Sequence, residues 1–349
     1  MKRLTVLLLA LLVLAAITPI FAGGGGQKSG GTAAPAAAPA AAPAPQTRVF
    51  RLADNQPDGY PTVLGDLAFA KYVADKTNGA IKIEVYNNSV LGQEKETIEM
   101  TQSGSIQFIR VGTNPLTSIN PVMGALSMPY LYRDRDHMFK VLDGPIGQQM
   151  MESLQKQNLL GLCWYDSGFR NFYNTKKVIK SPADMVGLKI RVQESPLMMD
   201  MVRFCGAAPT PMAYGEVYTG MQNKVIDGAE NNWPSYITAS HFEVAKFFTV
   251  DQHMASPEMV LINTGTWKSL SDAEKKIIKD GAMEGARVER AAWIDAEKTY
   301  EAKARAAGCT VTDLTPEQHQ AFVNALMPLY DQPAYASFKD VVQQIRDVK

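Results

Sequence analysis

The chain is poor in the residues from which most enzymes and metal centres are built. Its 349 residues include three cysteines, Cys163, Cys205 and Cys309, and four histidines. The cysteines are odd in number, far apart and without a CxxC pair. That pattern excludes a disulfide framework and a thiolate zinc site, and leaves buried thiols as the expectation. His137, His241, His253 and His319 are scattered, and HExxH, GxSxG and phosphate-binding glycine loops are all missing. Asp166, Glu94, Glu216 and Glu230 supply carboxylates, but no spacing brings two together as an acid and base pair. Charge excess is missing as well: 35 Lys and Arg face 35 Asp and Glu, so no global field recruits nucleic acid or anionic lipid. No catalysis, cofactor or metal is expected.

Long apolar runs are confined to the N-terminus. Lys2 and Arg3 precede an almost wholly apolar stretch, Leu4 to Ile20, and small residues begin at Ala22-Gly23. This reads as a secretory signal cleaved after Ala22. An uncleaved anchor is the alternative, because the run is close to spanning length. No cysteine near the site could carry a lipid. Residues 23–47 are rich in Gly, Ala and Pro and cannot bury a core, so they are expected to tether a domain on the far side of the membrane.

From Arg48 onward the pattern alternates strand and helix. Strands are expected at Val49–Ala53, Ile81–Tyr86, Ile106–Val111, Leu160–Tyr165, Leu188–Val192, Val225–Gly228 and Met259–Asn263. Helices are expected at Thr62–Thr77, Glu94–Ser103, within His137–Gln157, at Pro196–Cys205 and at Glu216–Gln222. A capping box at Ser271-Asp272-Ala273-Glu274 opens a helix that runs to about Ala307, where Gly308 stops it. About 35 helical residues span roughly 50 Å, more than one lobe of this size, so the helix should cross two lobes. Repeated βα units imply an α/β fold with sheets covered on both faces.

The motif that speaks to function lies between Gly168 and Val192, where Arg170 and Arg191 flank the helix-start signature Ser181 to Gly187. A guanidinium grips a carboxylate through two parallel hydrogen bonds, whereas lysine offers a point charge. Arg191 ends an apolar strand where the chain turns, the place at which ligands dock in open α/β sheets. Surface salt bridging is the competing reading for both arginines.

Six phrases carry a family resemblance: Val90 to Glu94, Met128 to Asp134, Ser181 to Val192, Pro209 to Met212, Gly215 to Tyr218 and Ile226 to Asn231. In this order and spacing, residues 48 to about 330 resemble the solute-binding subunit (DctP family) of tripartite ATP-independent periplasmic (TRAP) transporters. The resemblance implies a two-lobed, type II-like periplasmic binding protein with a long helix bridging both lobes. It would act as a monomer, close over an organic acid and deliver it to membrane subunits without catalysis. The expected division is 48–167 plus about 256–295 for one lobe and 168–255 plus about 296–349 for the other. It also implies that Arg191 takes the ligand carboxylate, Arg170 assists, Asn231 closes on the same group and Tyr214 forms an aromatic wall. From the opposite lobe, Asn55, Glu94 and Asn114 would read the ligand's far end.

Asn231-Asn232-Trp233-Pro234-Ser235-Tyr236 places amides and two aromatics after the clamp. Flat rings edged by polar groups suit a polyhydroxylated acid, so a hexuronate such as glucuronate or galacturonate is the expected ligand, with Trp233 as a stacking face. Core packing is the alternative role for Trp233. A second acidic group would be repelled by Glu94, which argues against succinate and malate. The alternatives to hexuronate uptake are a C4-dicarboxylate or keto-acid binding protein and a sensory ligand-binding module.

Overall fold

A computed structural model describes residues 47–349. The expected signal and tether up to residue 46 lie outside the described residues. Among the described residues no helix is long and apolar enough to cross a membrane.

Two sheets form two lobes. The first contains β1 (Arg48–Ala53), β2 (Ile81–Tyr86), β3 (Phe108–Gly112), β4 (Leu159–Tyr165) and β10 (Glu258–Asn263), ordered β2-β1-β3-β10-β4. The second contains β5 (Phe169–Asn174), β6 (Lys189–Val192), β7 (Ala208–Pro211), β8 (Gly228–Asn231), β9 (Phe247–Ala255) and β11 (Thr310–Asp313), ordered β11-β9-β5-β8-β6-β7. Strand β1 runs parallel to β2 and β3, and β6 parallel to β7 and β8. The carboxyl ends of parallel strands in each sheet therefore carry the loops that face the other lobe. The chain passes between sheets after Tyr165 and again after Ala255.

The helix Asp272–Ala306 is 35 residues long. The Ser271 side chain and the Glu274 carboxylate cap it reciprocally, with Ser271 N donating to Glu274 Oε2 at 2.8 Å. It packs along Pro61–Lys76 in the first lobe and against Trp233–Thr238 and β11 in the second, so it bridges both. Its contact with Pro61–Lys76 depends on glycine. A Cβ on Gly285 would sit 2.8 Å from the Gly65 carbonyl oxygen and 2.9 Å from the Tyr165 hydroxyl.

Several elements differ from expectation. Strands β5 and β9 carry no clean alternation, because β5 buries Arg170, Asn171 and Asn174 beside its aromatics. The strand expected at Val225–Gly228 forms at Gly228–Asn231 instead. Val225 is exposed, whereas Glu230 and Asn231 are buried between β5 and β6. The stretch 296–349 does not all belong to the second lobe. Its last helix, Lys339–Asp347, packs against Pro121–Ser127 and Pro145–Ser153 of the first, and His137 Nε2 lies 3.0 Å from the Ile345 carbonyl. An apolar cluster running from Ile109 and Trp164 through Phe172 and Ile190 to Phe322 and Ile345 draws it back. The three cysteines are free and buried.

Gly285→Val should force the two helices apart and lower stability by about 1–3 kcal/mol, the usual range for overpacking a tight contact. Thermal melting would read this as a lower Tm; an unchanged Tm would mean the helices do not meet at this glycine.

Candidate functional site

Between the lobes lies a cavity of about 420 Å³ whose walls include Gln93, Glu94, Arg191, Gln193, Met212 and Tyr214. Arg191 is the buried cation among its lining residues. Its strand register pairs it with Ala229 of β8 and Thr210 of β7, which fixes its backbone in the middle of three parallel strands. The side chain is 3% exposed, and Nε and Nη2 both donate to the Met212 carbonyl, at 2.9 and 2.7 Å. Among the described residues it has no carboxylate in ion-pair contact. Burial, with Arg170 nearby, holds its pKa below the usual arginine value. A guanidinium held by a carbonyl in this way keeps its outer Nη1 and Nη2 donors for an incoming group.

Arg170 has a different situation. Its Nη2 donates to Glu230 Oε1 at 2.8 Å and to the Glu230 carbonyl at 2.9 Å, while Nε holds Oε2. His253 Nε2 lies 3.5 Å from the same carboxylate, and His253 Nδ1 lies 2.8 Å from Asp251 Oδ2. Burial would raise the Glu230 pKa, but Arg170 and His253 outweigh it and hold it low. Burial opposes protonation of His253 too, yet Asp251 and Glu230 push its pKa up to about 9. The charges of these four groups cancel among themselves, and Arg191, outside the set, feels Glu230 without a direct ion pair among the described residues.

The other expected residues divide into two sets. Tyr214 and Glu94 line the same cavity as Arg191. Asn114 reaches it indirectly, since its Nδ2 donates across the lobes to Gln193 Oε1 at 3.1 Å and to Ser256 Oγ at 2.9 Å. Asn231 is buried at the end of β8 and accepts from the Asn232 amide at 2.9 Å. Asn55 is turned to structure, its Oδ1 accepting from Arg110 Nη2 at 2.6 Å. Trp233 is not brought to the cavity. Its ring stacks on Phe248 with centroids 3.7 Å apart, in an apolar cluster that includes fully buried Tyr236. The stacking-face reading gives way to core packing, because the helix Trp233–Thr238 turns its aromatics toward β9. Residues not foreseen are Gln93, whose Oε1 accepts from Gly215 N across the cleft at 3.4 Å, Gln193, and the buried Arg110. An arginine in the middle of the apolar run Phe108–Gly112 was the available signal for Arg110.

Residues 52–336 match the family model described as bacterial extracellular solute-binding protein, family 7. The chain belongs to this family. It is 35% identical over 295 residues to a solute-binding protein of Chromohalobacter salexigens, covering 84% of this chain and 87% of the relative. A TRAP periplasmic solute-binding protein from Bradyrhizobium, solved in complex with α/β-D-galacturonate, superposes with a TM-score of 0.83 at 39% identity, covering 86% of this chain and all of that one. Another from Roseobacter denitrificans, with bound β-D-glucuronate, gives 0.83 at 34% identity, covering 86% of this chain and all of that one. The protein is thus a TRAP solute-binding protein of two-lobed fold, periplasmic, with a transport function in place of an enzymatic one.

In this solute-binding protein the His253 pair predicts a pH window. A folded pKa of about 9 against an unfolded value near 6.5 gives stability that is complete below pH 6.5 and lost as pH rises through 9. The loss should be on the order of 3 kcal/mol. His241 works in the opposite sense and outside that window, since burial depresses its pKa to about 3. Urea denaturation at stepped pH should show the alkaline slope in the wild type and its disappearance in His253→Gln. Equal slopes in the two proteins would contradict the assignment.

Proposed function

We propose that this solute-binding protein captures a hexuronate, D-glucuronate or D-galacturonate, in the periplasm and passes it to the membrane subunits of a TRAP transporter. The observation that carries the reading is Arg191, a buried guanidinium that lines the interlobe cavity and has no carboxylate in ion-pair contact among the described residues. A desolvated cation gains most from a partner that is both charged and hydrogen-bonded. A carboxylate meeting the outer donors of Arg191 end-on meets both conditions. Asn231, Tyr214 and Arg170 would support the same group from neighbouring positions of the second lobe.

The sugar part of the reading rests on two supports. Gln93, Gln193, Ser118 and Glu94 line the cavity and can exchange hydrogen bonds with several hydroxyls. The proteins from Bradyrhizobium and Roseobacter, at 39% and 34% identity, hold galacturonate and glucuronate. Where the N-terminal apolar run is retained as an anchor, residues 23–47 would serve as the link that keeps the binding domain near its membrane partner.

Calorimetry should find glucuronate or galacturonate binding with one site per chain and no turnover. Arg191→Ala and Arg191→Lys should each weaken binding by about 2–5 kcal/mol, or roughly 30-fold to several-thousand-fold, with the fold intact by circular dichroism. Succinate should fail to displace glucuronate at equal concentration. Undiminished affinity in a folded Arg191 variant would remove the clamp; displacement by succinate would remove the uronate reading and leave the transport function.

A further inference from the structure

The wall opposite Arg191 is built around one guanidinium with too many carboxylates. Arg110 is 1% exposed. Its Nε donates to Asp54 Oδ2 at 3.0 Å, Nη2 to Asp54 Oδ1 and, at 2.6 Å, to Asn55 Oδ1, and Nη1 to Glu258 Oε2 at 2.9 Å. Every nitrogen is therefore engaged by the protein. Glu94 stands next in line, with Oε1 3.9 Å from Arg110 Nη1 and 3.1 Å from the Gly112 amide that donates to it. Its Oε2 has no hydrogen bond among the described residues. The crowding is visible in Glu258, whose pKa burial pushes up to about 7 with help from Glu94 and Asp54 against Arg110.

The cavity rim adds to the same sign. Of the charged residues lining it, Glu94, Glu96, Glu194 and Glu216 are acidic and only Lys95 and Arg191 are basic. Lys95, Glu96, Glu194 and Glu216 are exposed and screened by water. What a bound ligand meets in the desolvated interior is thus Arg191 at one end and Glu94, backed by Asp54 and Glu258, at the other.

We propose that Glu94 and the Arg110 cluster behind it form a charge filter. The filter accepts a neutral, hydroxyl-bearing end of the ligand and rejects a second carboxylate, so hexuronates bind while hexarates of the same carbon skeleton do not. The inference rests on the uronate reading and adds the feature that sets its specificity. Chemistry gives the direction. Glu94 offers only acceptors, a sugar hydroxyl can donate to them, and an ionised carboxylate has no proton to donate. Arg110 gives little relief, since four of its five N–H donors are committed to Asp54, Asn55 and Glu258, and the Nη1 that carries the fifth already lies 3.9 Å from Glu94 Oε1. Two like charges at contact distance in a partly buried site weaken binding by about a hundredfold or more.

The test is calorimetry of the wild-type protein and Glu94→Gln with D-glucuronate and with D-glucarate. The wild type should favour glucuronate by about a hundredfold. Glu94→Gln should narrow that ratio at least about tenfold, through a gain for glucarate, because the amide keeps an acceptor for Gly112 and supplies a donor. Glu94 also opens the helix Glu94–Ser103. A purely structural role there would change the melting temperature and both affinities together and leave the ratio fixed, which would overturn the filter. Should the variant misfold, the wild-type ratio alone decides, and glucarate binding on a par with glucuronate sinks the proposal. If the wild type binds neither acid, the uronate reading falls and the filter with it. If glucuronate binds and glucarate matches it, the filter alone falls.

Discussion

A cation buried with no carboxylate in ion-pair contact among the described residues is the constraint around which this molecule is arranged. Removing the Arg191 guanidinium from water is costly, and the fold offsets only part of that cost by giving two of its donors to the Met212 carbonyl. Such a group has to be held rigidly, or it would turn toward solvent or toward Glu230. The parallel pairing of β6 with β7 and β8 supplies that rigidity, fixing the arginine backbone on both sides.

Neighbouring charges are disposed to keep this imbalance. Arg170, Glu230, His253 and Asp251 form a closed set whose charges cancel; among the described residues Glu230 makes no direct ion pair with Arg191, although its charge still favours the protonated guanidinium. The same set packs against Phe172, whose ring stacks on His253 with centroids 4.3 Å apart, and so ties the electrostatics to the core. In the first lobe the imbalance has the opposite sign, with one arginine shared among several carboxylates. A cleft with a free cation on one face and excess acceptors on the other orients its ligand before any shape matching begins.

Short crossings and one long helix join the lobes across this cleft. Two short crossings connect the sheets, and at one of them Gly168 adopts φ +58 beside Glu297, leaving no room for a side chain. The long helix carries the span between lobes, and hydrogen bonds from Asn114 to Gln193 and from Gly215 to Gln93 bridge the cleft itself. Short hinges under a stiff strut are the ingredients of domain closure. Single hydrogen bonds of this kind are weak enough to break and re-form with ligand exchange.

The amino-acid sequence by itself determined the class of the fold, the long capped helix, most of the strands and the place of Arg191 near a strand end. Those features are local: apolar periodicity, a capping box and an arginine at a strand end leave their mark within a few residues. It misjudged β8 and did not announce β5 and β9, since strands that bury Arg170, Asn171, Glu230 and Asn231 read as polar until their partners are known. Trp233 could not be placed from sequence either, because an aromatic beside a binding motif looks the same whether it faces the ligand or Phe248. The role of Arg110, the pairing of Arg170 with Glu230 and the return of the last helix to the first lobe were decided by tertiary structure. Each depends on residues between about 55 and 210 positions apart. A charge's effective strength is set by what the folded chain brings against it and how much water it excludes, and neither is written in the local sequence.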